Sequence, residues 1–298
     1  MRWSLVCATL FLAVGIIDPS YADTPTFSPL YSTVPFDTTA PRLPAGFAGA
    51  DIQAIWSAAT KLSPIKDEFE TTEEFNQRVA GFAHAKVADN LSVSDCLSFR
   101  VISEKVSSTY DADSHILTVS IRPYSFSLHN ANSIEQYLRE IGVSLTEHDF
   151  SYYSTDAYFI GCLLSSIDGG TYTAQNAYGT QFTVRRQNYS SYELYIKNIA
   201  NYHVAPTDGT LTVASIPLSA DDARIAKPDI SVLALCHFST YKSDYCNENN
   251  FIRRPTANDP IEYTLKLYVL HTVIDAFWVY NKSTGDVYSR LIPSESSH

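Results

Sequence analysis

Leu97-Ser98-Phe99-Arg100-Val101 reads as a strand, because Leu97, Phe99 and Val101 recur at every second position and so share one face. Leu117, Val119 and Ile121 repeat that pattern beyond the turn Asp111-Ala112-Asp113-Ser114, which makes the two runs a β-hairpin or meander. Upstream the period is helical. Asp51 caps a helix whose apolar stripe is Ile52, Ile55, Trp56, Ala59 and Leu62, and Pro64 ends it. Thr71-Thr72-Glu73-Glu74 is a capping box for a second helix. That helix carries Phe75, Val79 and Phe82 on one side, Phe69 as a hydrophobic staple, and Glu74 and Arg78 as an i,i+4 pair.

Downstream, strand-like runs dominate. Tyr158–Ile167 leads into a turn at Asp168-Gly169-Gly170, followed by strands at Tyr172–Ala174, Gln181–Arg186, Glu193–Lys197 and Leu211–Ile216. A helix is expected at 133–141, capped by Ser133, and a shorter one from Ser219 to Ile225, closed by Pro228. Ile230–Phe238, Ile261–Leu270 and Ala276–Tyr280 are further strands, and Asn281-Lys282-Ser283-Thr284-Gly285 turns the last hairpin. The expected fold class is α+β: N-terminal helices followed by a mainly antiparallel sheet with short helical inserts.

Arg2, the apolar run Trp3–Ile17 and the small residues of Ser20-Tyr21-Ala22 have the layout of a secretory signal peptide over residues 1–22. The run is too short for a comfortable bilayer span. Residues 23–48 hold Pro25, Pro29, Pro35, Pro41 and Pro44 and read as an extended Pro/Ser/Thr-rich arm, draped over the domain or disordered. Residues 49–298 form one α+β domain, with two sub-halves split near 150 as a second reading. The expected address is periplasmic or secreted.

The net charge of −11 repels phosphate backbones and anionic headgroups, so neither nucleic acid nor a membrane surface is an expected partner, and no second apolar run reaches the length of a span. Cys7 lies in the leader, leaving Cys96, Cys162, Cys236 and Cys246. An even count in an exported chain suggests two disulfides in one of three pairings, the favoured one being Cys236–Cys246 across a short polar loop with Cys96–Cys162 across a long one. Cysteine spacing fits no zinc site, and the eight histidines are scattered, so no metal or cofactor is expected.

Nucleophile elbows, Walker loops and dinucleotide fingerprints are missing from the sequence. Acid–base work by two carboxylates stays open through Asp149, Asp156, Asp168 and Asp275, the last set among Val273, Ile274, Ala276 and Phe277. The 20 tyrosines are the one compositional excess. They suit strand packing, and they also suit binding surfaces, because a tyrosine offers a large area at low entropy cost.

Three segments carry a resemblance: Lys66-Asp67-Glu68-Phe69-Glu70-Thr71-Thr72-Glu73-Glu74-Phe75-Asn76-Gln77-Arg78, Gln175-Asn176-Ala177-Tyr178-Gly179 and Ser283-Thr284-Gly285-Asp286-Val287. Together they resemble a group of uncharacterised exported bacterial proteins, over residues 50–290. The resemblance implies a bacterial, exported address and brings no catalytic residue with it.

The expectation is therefore an exported, non-enzymatic binding or structural protein of the bacterial envelope. It would contact a protein, peptide or glycan through a tyrosine-rich sheet surface. Gln175, Asn176 and Tyr178 at the bend, with Tyr189, Tyr192 and Tyr195 on the strand, are the candidate binding residues. A cell-wall or polysaccharide hydrolase with paired carboxylates and an inhibitor or immunity-type protein are the other readings.

Overall fold

The computed structural model describes residues 29–62, 65–126, 157–202, 209–239 and 244–293. The expected leader and the helix at 133–141 lie outside them, as do Asp149 and Asp156. The chain opens with β1 (Leu30–Ser32), β2 (Phe47–Ala50), α1 (Ile52–Ala59) and α2 (Thr72–Gly81). Short strands follow: β3 (Lys86–Ala88), β4 (Leu91–Ser92), β5 (Leu97–Arg100), β6 (Val106–Asp111), β7 (Ile116–Ile121) and β8 (Tyr124–Phe126). The second half contains β9 (Ala157–Gln175), β10 (Gln181–Ile196), β11 (Leu211–Pro217), α3 (Ala220–Ala226), β12 (Ile230–Phe238), β13 (Cys246–Arg253), β14 (Ile261–Asn281) and β15 (Val287–Leu291).

The α+β expectation is overturned. The protein is mostly β, its main sheet is mixed rather than antiparallel, and strands precede the first helix. The described helices are 8, 10 and 7 residues long, and they decorate the sheet rather than form a layer of their own. The sheet runs β1-β2-β5-β12-β14-β10-β9-β8, with β13 and β15 also on β14. β1–β2 and β10–β14 are parallel pairs. Alternation marks a strand but not its direction or partner, so the parallel β10–β14 pair left no local trace.

β14 organises this sheet. Its 21 residues are rich in β-branched and aromatic side chains, and they replace two expected strands. β10 pairs with Ile261–Thr272 on one side, and β13 and then β12 pair along the other. The remaining length pairs with β15. Both faces are buried. Val232, Ala234 and Cys236 on β12, with Phe277 and Val279 on β14, point into the larger core. Leu233 and Leu235, with Ala276, Trp278 and Tyr280, point into a smaller one.

The larger core is closed by Ile52, Ile55 and Ala59 of α1 and by the small sheet β6-β7-β11, which contributes Leu117, Val119, Ile121, Leu211, Val213 and Ile216. The smaller core is covered by the proline-rich arm. Leu43 and Phe47 are buried there, and Phe36 meets the Trp278 ring edge-on at 5.0 Å. The Tyr280 hydroxyl donates to the Phe47 carbonyl, which ties the arm to the centre of the sheet. Proline makes this segment extended, and its few apolar residues then dock it.

Local features behave as their residues dictate. The Thr71 hydroxyl accepts from Glu74 N–H while Glu74 reaches back to Thr71 N–H, so the capping box is complete. Phe69 is exposed rather than a staple, and Arg78 pairs with Glu70 at 2.8 Å instead of Glu74. Asp168-Gly169-Gly170 does not reverse the chain. It is a bulge within β9, with Gly170 at φ 76° and its N–H donating to the Asp168 carboxylate. Reversal comes later, at Asn176–Gly179.

In the β14–β15 turn, Gly285 lies at φ 82°, and a Cβ there would sit 1.8 Å from the Leu43 carbonyl oxygen. Gly285→Ala is expected to destabilise the protein by about 2 kcal/mol, through left-handed strain and displacement of the arm. Denaturant unfolding checks this, and a change below about 0.5 kcal/mol would show that the turn yields freely.

Candidate functional site

A cavity of about 680 Å³ lies where the chain leaving β5 meets the side of β9. Arg100 ends β5, and the Ile102 N–H then donates to the Gly161 carbonyl at 3.0 Å. Gly161 permits this approach, since a Cβ there would come within 2.9 Å of the Ile102 side chain. Ile102, Val106, Cys162, Leu163 and Leu164 give the cavity an apolar wall. Arg100, Glu104, Asp229, Ser231, Lys282 and Ser283 are its polar lining.

The lining carries two cations, Arg100 and Lys282, and two carboxylates, Glu104 and Asp229. Lys282 Nζ lies 3.6 Å from the Asp229 carboxylate and also donates to the Pro228 carbonyl. No carboxylate among the described residues lies within ion-pair distance of the half-buried Arg100. Its guanidinium and the Ser231 hydroxyl sit beside the Tyr280 hydroxyl; burial raises the Tyr280 pKa, and these two neighbours pull it back down. A partly desolvated guanidinium, two serines and an apolar wall suit an amphiphilic ligand with a carboxylate, phosphate or sulfonate head. Periodicity shows Arg100 only as the polar partner of Phe99, and the only earlier hint would have been a lone charge in a strand facing a buried sheet.

The candidate binding residues lie elsewhere. Gln175, Asn176 and Tyr178 share the β9–β10 turn. Asn176 Oδ1 accepts from the N–H groups of Tyr178 and Thr180, and Gln175 Nε2 donates to the Gly179 carbonyl. The two amides are thus engaged in shaping the turn, while Tyr178 projects into solvent, 94% exposed. Tyr189 stacks on Tyr263 at 6.4 Å, Tyr192 stacks on Tyr268 at 4.5 Å with Trp56 against the pair, and Tyr195 packs between Phe159 and His271. The three strand tyrosines do not form one open patch. Tyr192 belongs to the larger core.

The expected disulfides are absent: Cys96, Cys162, Cys236 and Cys246 are all free thiols. Cys236 pairs with Ile274 and Cys246 with Leu270 along the same side of β14, which sets them about 13 Å apart, roughly twice the reach of a disulfide. Cys96 packs on the smaller core and Cys162 on the larger, so the sheet stands between them. Burial pushes the Cys96 thiol up to about 11, with Asp275 and Asp95 adding to it, and the Cys246 thiol up to about 12. Burial raises Cys162 and Cys236 as well. These thiols act as small hydrophobes and stay protonated, and therefore inert to exchange.

The two candidate carboxylates among the described residues, Asp168 and Asp275, do not converge. Asp168 pairs with Arg185 at 3.2 Å, and Asp275 accepts from His237 Nδ1 at 2.9 Å, half exposed rather than buried among its apolar neighbours. Asp275 escapes burial because it occupies a bulge between the Cys236–Ile274 and Leu235–Ala276 pairs. Among the described residues no group of His, Cys, Asp and Glu has the geometry to hold a metal. No described helix is long and apolar enough to cross a membrane.

Glu193 is the carboxyl that composition did not flag. It is fully buried on β10, accepts from the Ser191 hydroxyl at 2.7 Å, and burial pushes it up to about 8, with Lys105 acting in the opposite direction. Comparison with known protein families, with curated proteins and with solved structures finds no match to this chain.

Two outcomes are expected. In native protein lacking residues 1–22, a disulfide-exchange reagent at pH 8 reacts slowly, and four thiols appear on denaturation without reductant; two or none would restore the bridges. For Glu193 the folded pKa lies above the unfolded one, so the folded state holds the extra proton and stability declines as pH rises from 4.5 towards 8. Glu193→Gln removes that decline. Relative to the parent it should gain at least about 1.4 kcal/mol between pH 5 and pH 9 in denaturant titrations, and a pH-independent difference would refute the assignment.

Proposed function

We propose that this chain is an exported, non-enzymatic binding protein of the bacterial envelope, and that its ligand occupies the cavity beside β9 with an anionic group on Arg100. The single observation carrying this reading is the half-buried Arg100, without a carboxylate partner among the described residues, in the lining of a cavity of about 680 Å³ that also holds apolar residues. A charge removed from water without a counter-ion is costly, and an anionic ligand relieves that cost. The volume falls in the range of small-ligand sites. The tyrosines serve as packing for the sheet that frames the cavity, so the contact surface moves from the strand tyrosines to this pocket.

Export is supported by the leader-like layout of residues 1–22 and by the resemblance to exported bacterial proteins. Four separated, protonated thiols are compatible with an oxidising compartment, because exchange needs a thiolate. Asp168 and Asp275 are engaged with Arg185 and His237 rather than paired across a cleft, and a hydrolase reading draws no support from these two.

Two measurements test this. An anionic amphiphilic dye, anilinonaphthalene sulfonate, should bind the native chain at one site, and Arg100→Gln should weaken it at least tenfold while far-UV circular dichroism stays unchanged; equal affinity would overturn the cavity assignment. Expressed with a C-terminal tag in a bacterium, the protein should appear in the osmotic-shock fraction with Asp23 as its first residue. Full-length protein confined to the cytosol would overturn export.

A further inference from the structure

We infer that the ligand is the C-terminal end of an extended polypeptide, added as a strand to the open edge of β9 with its terminal carboxylate on Arg100. This rests on the cavity being the ligand site and names what enters it. β9 is 19 residues long, but β8 pairs only with Ala157–Phe159 on its outer side. The Ile102 N–H reaches the next acceptor, Gly161. Beyond that point no strand among the described residues pairs with this edge, although β10 covers the opposite side along nearly the whole strand.

The open stretch begins at the cavity. Cys162, Leu163 and Leu164 line its wall, and the edge continues through Ser165, Ser166 and Ile167 into solvent, where Ile167 is 67% exposed. Six residues of edge span about 20 Å, enough for a peptide of similar length. The bulge at Gly169-Gly170 then breaks the register.

Open edges invite other strands, and proteins that do not use them guard them with lysine, proline or inward charge. Cys162-Leu163-Leu164-Ser165-Ser166-Ile167 has none of these. Bulges bound this stretch at both ends, one at Cys162 between the Gly161–Glu193 and Leu163–Tyr192 pairs and one at Gly169-Gly170 beside Asp168. An extended peptide satisfies the open N–H and C=O groups, lays alternate side chains on Ile102 and Val106, and brings a carboxylate to a guanidinium suited to bind it in two-pronged fashion. A lipid would answer the cation and the apolar wall but leave the edge groups to water. A second copy of this chain would pair the edge without using Arg100.

The test uses the chain lacking residues 1–22 and pooled random octapeptides in three forms: free C-terminus, C-terminal amide, and free C-terminus with alternate backbone nitrogens methylated. Free-carboxylate peptides should be retained at least tenfold over both other forms, and Arg100→Gln should abolish the preference for free carboxylate over amide. Amides retained equally would overturn the carboxylate contact, and methylated peptides retained equally would overturn strand addition. Binding of dodecanoate and the dye through Arg100 without peptide retention would overturn this inference and leave the cavity reading standing. Loss of all binding would remove both. A dimer in sedimentation that is dissociated by Ser165→Pro or Ser166→Pro would make the occupant a second copy and likewise overturn it.

Discussion

Burial of both faces of β14 is the constraint on which the rest of the structure depends. A strand of 21 residues cannot be solvated on either side when Leu265, Leu267 and Val269 are buried on one face and Leu270, Phe277 and Val279 on the other. Every neighbour follows from that. β10, β12, β13 and β15 satisfy its backbone, the small sheet and α1 cover the larger core, and the proline-rich arm covers the smaller one. The arm is short of apolar residues, so Phe36, Leu43 and Phe47 must each be placed well, and the hydrogen bond from Tyr280 to Phe47 fixes its path.

The cavity is a by-product of how this sheet curls. β5 and β9 sit far apart in strand order, yet Ile102 bonds Gly161 directly, so the sheet bends towards closure at one point and stays open beside it. The gap keeps a charged strand end, Arg100, from both full solvation and full burial. That intermediate state makes it chemically useful: a fully exposed arginine binds anions weakly through screening, and a fully buried one would need a permanent partner. Burial raises the pKa of Glu193 on the neighbouring strand, and the carboxylates of the cavity lining are Glu104 and Asp229.

The residues that the sequence singles out are engaged in packing and turn formation for a consistent reason. Tyrosine excess, an even cysteine count and a lone aspartate among apolar neighbours are compositional signals, and each has a packing explanation that composition cannot separate from function. Tyr192 stacks on Tyr268, Cys236 fills a core position, and a bulge turns Asp275 outward to His237. Asn176 was recognisable as a bend residue, and its amide shapes the turn together with that of Gln175. Arg100 carried no signal, because what distinguishes it is the lack, among the described residues, of a carboxylate within ion-pair distance.

What the sequence determined alone was everything set within a few residues. The reciprocal cap of Thr71 and Glu74, the Ser219 cap of α3, the Asp111–Ser114 turn, the bounds of β12 and the last hairpin through Gly285 all follow from local hydrogen bonding and backbone preference. Only the tertiary structure decided strand direction, the fusion of two runs into β14, the separation of the four thiols and the position of the cavity. β10 and β14 meet in parallel across residues 197–260, and a contact between such distant segments is chosen by total burial rather than by the residues beside it.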